Sequence, residues 1–128
     1  MSTKSKGTNA ERELIHAFWE KGYAAMRSAG SGSMRHPSPD IIAAKNGKIL
    51  VIECKITKDH YKYFEKQEIE ELKRFAEFFE AEAYVAVKFK GNNWYFLKTN
   101  DLIEKDMSFM VDVNLAKERG ISFDVLVE

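Results

Sequence analysis

Apolar residues recur at spacings of three and four over residues 8–21, where Ala10, Leu14, Ala17 and Phe18 share one stripe. That period predicts a helix with one buried face. Thr8 or Asn9 stands where a cap would start it, and Gly22 where it would stop. Tyr23 to Ser28 predicts a short strand. Residues 29–39 are rich in Gly, Ser and Pro and predict a mobile loop. Ile41 to Ala44 is apolar throughout and predicts a buried strand, followed by the two-residue turn Asn46-Gly47 and a return strand from Lys48 to Thr57. Over residues 65–80, Ile69, Leu72, Phe75, Ala76 and Phe79 align on one helical stripe with Glu and Lys opposite. Ala83 to Phe89 predicts another buried strand, and Gly91-Asn92-Asn93 turns into a last one, Trp94 to Leu97. From Asp101 onward the pattern is less regular, with apolar pieces at Met107 to Val113 and Ile121 to Val127. Helix, strand, hairpin, helix, strand, strand predicts an α/β fold, one mixed central β-sheet flanked by α-helices.

Composition narrows the class. The chain has 128 residues, the size of one domain (1–128), and 45% of them are hydrophobic, enough to build a core and to exclude a disordered tail. No run approaches the roughly 18 apolar residues of a membrane span, and the polar N-terminus lacks the apolar centre of a secretory signal. Cys54 is the one cysteine, which excludes an internal disulfide and a cysteine metal cluster. These features predict a cytoplasmic protein with no membrane partner. Net charge is zero, yet residues 1–62 hold 11 basic and 6 acidic side chains and residues 63–128 hold 9 and 14. Such asymmetry suits one basic face for a polyanion, or two ordinary solvated surfaces.

Candidate chemistry gathers at the hairpin. Asp40 opens its first strand; Glu53 and Lys55, two apart on the second, share one face while Cys54 points to the other. The turn carries Glu53 back toward Asp40, so two carboxylates and a lysine meet among apolar strand residues. Charges in such a place must be paired or metal-bound. One reading is a plain salt-bridge cluster. The other is a Mg²⁺ site, since Mg²⁺ takes hard oxygen ligands, commonly one or two carboxylates with waters and a substrate phosphate, and serves phosphodiester hydrolysis.

Pro39-Asp40, twelve residues, then Glu53-Cys54-Lys55 resembles the signature of the restriction-endonuclease-like nucleases. The surroundings are more specific. Lys6-Gly7-Thr8-Asn9-Ala10-Glu11-Arg12-Glu13-Leu14, Gly22 through Ser31, Pro39-Asp40-Ile41-Ile42-Ala43 and Ile52-Glu53-Cys54-Lys55 closely resemble the archaeal Holliday junction resolvases, over about the first 90 residues. The resemblance implies a restriction-endonuclease-like fold and a homodimeric endonuclease that cuts four-way junction DNA in recombination and repair by paired nicks, with Mg²⁺ as cofactor and Mn²⁺ as a substitute. It implies Glu11, Asp40 and Glu53 as metal ligands, Lys55 and the loop residue Ser31 as further catalytic groups, and Arg12 and Arg27 as phosphate contacts. Lys4, Lys6 and Arg35 are added as candidate DNA contacts from their place in a basic arm and the loop.

Three rivals remain at this level: a related metal-dependent nuclease for another branched or damaged DNA, a junction-binding protein without catalysis, and a purely structural dimer module with no DNA affinity. A helix carrying Phe75 and Phe79 on one side and Phe78 on another has apolar surface to spare, which suits a dimer face.

Overall fold

A computed structural model describes the backbone of residues 3–28 and 36–128, and the side chains of residues 7–28 and 36–128. Ser31 and Arg35, and the side chains of Lys4 and Lys6, lie outside the described residues.

Helix α1 (Thr3–Glu20) precedes β1 (Ala24–Arg27), β2 (Ile41–Lys45) and β3 (Lys48–Thr57). Then come β4 (Tyr61–Glu65), α2 (Lys66–Phe79), β5 (Glu82–Phe89) and β6 (Trp94–Lys98). A 3-10 turn (Thr99–Asp101), β7 (Ile103–Glu104), β8 (Ser108–Asp112), α3 (Val113–Arg119) and α4 (Phe123–Leu126) complete the chain. The central sheet has five strands in the order β1-β2-β3-β5-β6. The β3–β5 pair is parallel and the other neighbours are antiparallel, so the sheet is mixed. Between β3 and β5 the chain crosses over through β4 and α2, as a parallel pair requires.

The hairpin obeys its turn chemistry. Asn46 (φ 50°) and Gly47 (φ 84°) both take positive φ, and Lys45 pairs with Lys48. Gly22 (φ 85°) ends the first helix where the sequence places its stop. That helix starts at Thr3, earlier than Thr8, because the polar residues ahead of its apolar stripe continue the same turns.

Alternation along β3 divides the core. Leu50, Ile52 and Cys54 pack with Leu14 and Phe18 of α1, whereas Val51 packs with Ile69, Leu72 and Ala76 of α2. Glu53 and Lys55, in step with Val51, therefore share the face that α2 covers. The stripe expected on α2 is buried only as far as Ala76; Phe79 is 45% exposed and stacks on Phe75, and Phe78 is 84% exposed.

A second sheet, in the order β4-β8-β7, stands beside the central one. Its strands fall outside the expected elements. Tyr61-Lys62-Tyr63-Phe64 alternates over too few residues to register as a strand by itself, and the apolar piece at residues 107–113 becomes β8 by pairing with it. The tail adds two short helices, α3 capped by Asp112, whose Oδ1 accepts the Leu115 N–H at 2.7 Å, and α4 capped by Ser122. Among the described residues no helix is long and apolar enough to cross a membrane.

Phe64 is fully buried among Val51, Ile69 and Val111, and ties the small sheet to α2. Phe64→Ala is expected to cost about 3–5 kcal/mol in guanidinium unfolding; a loss below about 1 kcal/mol would detach β4 from the core.

Candidate active site

Asp40 is the residue around which the site is built. Its backbone N–H donates to Ile52 O at 3.0 Å and its carbonyl accepts Ser28 N–H at 2.8 Å, so its main chain bridges β3 and the end of β1. Its carboxylate Oδ2 accepts Cys54 N–H at 2.8 Å. Buried Pro39, with no N–H to offer a ladder, precedes it. Asp40 is thus fixed by two main-chain hydrogen bonds and one to its carboxylate.

Around it a cleft of about 400 Å³ is lined by Glu11, Pro37, Ser38, Pro39, Asp40, Glu53, Cys54, Lys55, Glu68, Glu71 and Leu72. Glu11 arrives from α1, Asp40 from the entry to β2, Glu53 and Lys55 from β3, and Glu68 and Glu71 from α2. Four residues named from the sequence, Glu11, Asp40, Glu53 and Lys55, therefore line one cleft, although they span 45 positions of the chain. Arg27 stands on the rim, its Nε 3.4 Å from Glu11 Oε1. That Nε is shielded from water, with no acceptor aligned on it among the described residues. Arg12, next to Glu11 on α1, is exposed.

Sequence reasoning missed Glu68. Its Oε2 lies 2.8 Å from Lys55 Nζ, and its Oε1 accepts the Glu65 N–H at 3.1 Å, closing the first turn of α2. The signal was present in Glu65-x-x-Glu68, a helix-start spacing, but nothing in it indicates which strand the helix start will face.

Crowding sets the electrostatics. Burial, then the Asp40 charge, pushes Glu53 up to about 9. Burial, then the Asp40 charge, pushes Glu11 up to about 7, against the pull of Arg27 and Lys55. Burial raises Asp40 too, held in check by the Cys54 N–H and a hydrogen bond with Glu53. Lys55 loses hydration by burial, but its bond to Glu68 more than offsets this and raises it. Burial also raises Glu68, yet its bond to Lys55 brings it below the ordinary carboxyl range. Cys54, packed in the α1-side core, is pushed far up by burial and is no nucleophile at neutral pH.

Asp40 and Glu53, with Glu11 opposite, are the groups that could hold a divalent cation. Among the described residues no group of three His, Cys, Asp or Glu side chains forms a ready-made cage. The donors nevertheless fit Mg²⁺: they are carboxyl oxygens, two of them hydrogen-bonded to each other for want of a positive partner, and Mg²⁺ keeps much of its shell for water and phosphate.

This sheet, with an Asp…Glu-x-Lys set at the mouth of a carboxylate cleft, defines a nuclease domain of the restriction-endonuclease-like class. The comparisons take the assignment further. The family model described as archaeal Holliday junction resolvase (hjc) matches residues 2–128. The crossover junction endodeoxyribonuclease Hjc of Archaeoglobus fulgidus is 42% identical over 109 residues, 85% of this chain and 80% of that protein. The protein of the same name from Sulfolobus acidocaldarius is 35% identical over 130 residues, 99% of this chain and 90% of its own. The solved structure of Archaeoglobus fulgidus Hjc, a Holliday junction resolvase, superposes with a TM-score of 0.88 at 35% identity, covering 95% of this chain and all of that one. The chain belongs to the archaeal Holliday junction resolvase family.

The raised carboxyls give the metal-free protein a definite pH response. Glu53 binds its proton more tightly folded than unfolded, so its contribution is fully present below the unfolded value of 4.5 and is lost as pH rises through about 9. Glu11 adds the same sign between 4.5 and about 7. The melting temperature in EDTA should therefore fall from about pH 5 to about pH 9, with a shallower slope for Glu53→Gln. A wild-type slope unchanged by that substitution would show that Glu53 is not the group titrating.

Proposed function

We propose that the chain resolves four-way DNA junctions by hydrolysing a phosphodiester in the Asp40–Glu53–Lys55 cleft with Mg²⁺, or Mn²⁺ in its place, two copies acting as a homodimer. As a member of its family it is a crossover junction endodeoxyribonuclease. The observation that supports this cleft as the cutting site is the meeting of Glu11, Asp40, Glu53 and Lys55 in one solvent-open pocket, with Glu11 and Glu53 raised by burial and by the Asp40 charge and Lys55 paired to Glu68.

When bound, the cation lowers the pKa of a water and offsets charge on the phosphate. Asp40, Glu53 and Glu11 would hold it, Glu53 and Glu11 giving up the protons that burial and the Asp40 charge favour on them. Asp40 does so from a fixed position, because its Oδ2 is already anchored on the strand at Cys54. Lys55 brings an ammonium to the same face of β3, where it can donate to a phosphoryl oxygen as negative charge develops. Ser31, which the family resemblance implies as a further catalytic group, would supply a hydroxyl.

The cleft itself is acidic and repels a polyanion, so phosphates must be gripped at the rim. Arg12 and Arg27 serve this role; Lys4, Lys6 and Arg35 are further candidate DNA contacts from the sequence alone. These contacts read phosphate position and junction shape rather than base sequence. The uncovered end of α2, Phe78 with Phe75 and Phe79, supports a dimer face. A two-fold pair would offer two cuts to symmetry-related strands.

A labelled synthetic junction, beside a linear duplex of the same sequence, tests the reading. Symmetric cuts are expected in the junction alone, with Mg²⁺ and not with EDTA; equal cutting of the duplex would remove the junction preference. Asp40→Asn keeps an oxygen for the Cys54 N–H while removing the charge. It should lower cleavage by about 10²–10³-fold or more and leave junction binding in EDTA intact; wild-type cutting by this variant would exclude Asp40 from the site. Phe78→Asp with Phe79→Asp should sediment as a monomer and lose paired cutting; a dimer of wild-type mass would place the interface elsewhere.

A further inference from the structure

Lys55 sits within electrostatic reach of Glu53, Asp40 and Glu68. Its flexible stem allows it to pair with any of them. Only the pairing with Glu68 keeps the ammonium off both Asp40 and Glu53, and that is the one observed: Nζ on Glu68 Oε2 at 2.8 Å. Glu68 is itself restrained, because its other oxygen accepts the Glu65 N–H at 3.1 Å at the start of α2. The carboxylate is thus shared among a backbone group of the helix, the ammonium of the strand and a hydrogen bond with Glu53.

We propose that Glu68 is a positioning residue for the cleavage reaction, holding the Lys55 ammonium off Asp40 and Glu53 so that these stay open to metal and phosphate. This rests on the hydrolytic reading of the cleft given above. Helix α2 supplies the fixed point. Ile69 and Leu72, buried in the α2-side core, set its height over β3, and its first turn then presents Glu68 to Lys55 and not to solvent. Lys55 has no comparable partner on β2, whose register with β3 begins only at Ile41–Ile52. Without Glu68 the ammonium falls back on the metal-holding pair, where it competes with the cation.

Glu68→Gln separates this role from helix capping. Glutamine at the third helical position still reaches the Glu65 N–H but carries no charge for Lys55. With enzyme in excess over the labelled junction, the variant should cut about tenfold slower or worse and need several-fold more Mg²⁺ for half its maximal rate. Junction binding in EDTA should match the wild type, and the melting temperature should stay within about 2 °C. Mg²⁺ titrated into the DNA-free variant should raise its melting temperature less than it raises that of the wild type. A Glu68→Gln protein with the wild-type rate and Mg²⁺ requirement would overturn the proposal. So would a loss of rate that follows a lowered melting temperature across Glu68→Gln and Glu68→Ala, which would leave Glu68 as a helix cap alone. A wild-type protein that binds the junction but never cuts it would overturn the hydrolytic reading itself, a result distinct from either.

Discussion

The hydrogen bond from Cys54 N–H to the Asp40 carboxylate is the constraint on which the rest of the site depends. Below it, β2 and β3 pair as an ordinary hairpin; at Asp40 the chain turns away through Pro39, and β3 runs on toward Thr57 with its other edge on β5 alone. The Cys54 N–H faces that gap. A side-chain acceptor there satisfies a donor that would otherwise be buried unpaired, an omission worth roughly 1–3 kcal/mol. The same bond fixes a carboxylate at the point where the sheet opens. Structure and chemistry thus ask for the same residue: the strand end needs an acceptor, and the cleft needs an anchored anion.

That anchoring explains why the neighbouring groups are perturbed as they are. Asp40 cannot move away from Glu53, so Glu53 and Glu11 hold protons at a pH where free carboxylates are ionised. Such an arrangement is unfavourable in the metal-free fold, and the core on either side of β3 sustains it. Fully buried Val51 and Ile52 lie directly before Glu53, and Val85, Ala86 and Val87 of β5 lie beside it. A sheet packed by helices on both faces can carry such a crowded set of carboxyls at the mouth of the cleft.

Much of this was legible in the sequence because the periodicities are strong. The Asn46-Gly47 turn fixes which residues of β2 and β3 face each other, and strand alternation then puts Glu53 and Lys55 on one side and Cys54 on the other. Both follow from local geometry. The second sheet was not legible, since β4, β7 and β8 are short strands whose half-exposed residues acquire meaning only on pairing; Met110 pairs with Tyr63 on one side and Ile103 on the other, and Tyr63 lies far from both in the chain. Glu68 was hidden for a related reason. Its helix was expected, and its polar face was expected to be solvated, but the angle at which the first turn meets β3 is set by β4 and by Phe64 beneath it. A tertiary contact overrode a reading that treated one polar helical face as uniform.

The zero net charge fits this division of labour better than a uniformly basic surface would. A cleft built to gather cations must be acidic, and an acidic cleft is a poor electrostatic target for DNA. Attraction therefore has to come from its surroundings, and residues 1–62 hold the excess of basic groups while residues 63–128 hold the excess of acidic ones. Arg27 shows how the two are joined. Its guanidinium stands against Glu11, with one N–H left unaligned and shielded from water, and its planar fork retains further donors on the rim of the cleft. On the proposed reading, a phosphate arriving there would meet a donor already held in place by a carboxylate of the cleft, and that donor would set its distance from the carboxylates that would hold the metal. Under the proposed function, the Glu11–Arg27 contact would couple binding to cutting, and a two-fold pair of such rims would set which strands can be held at once.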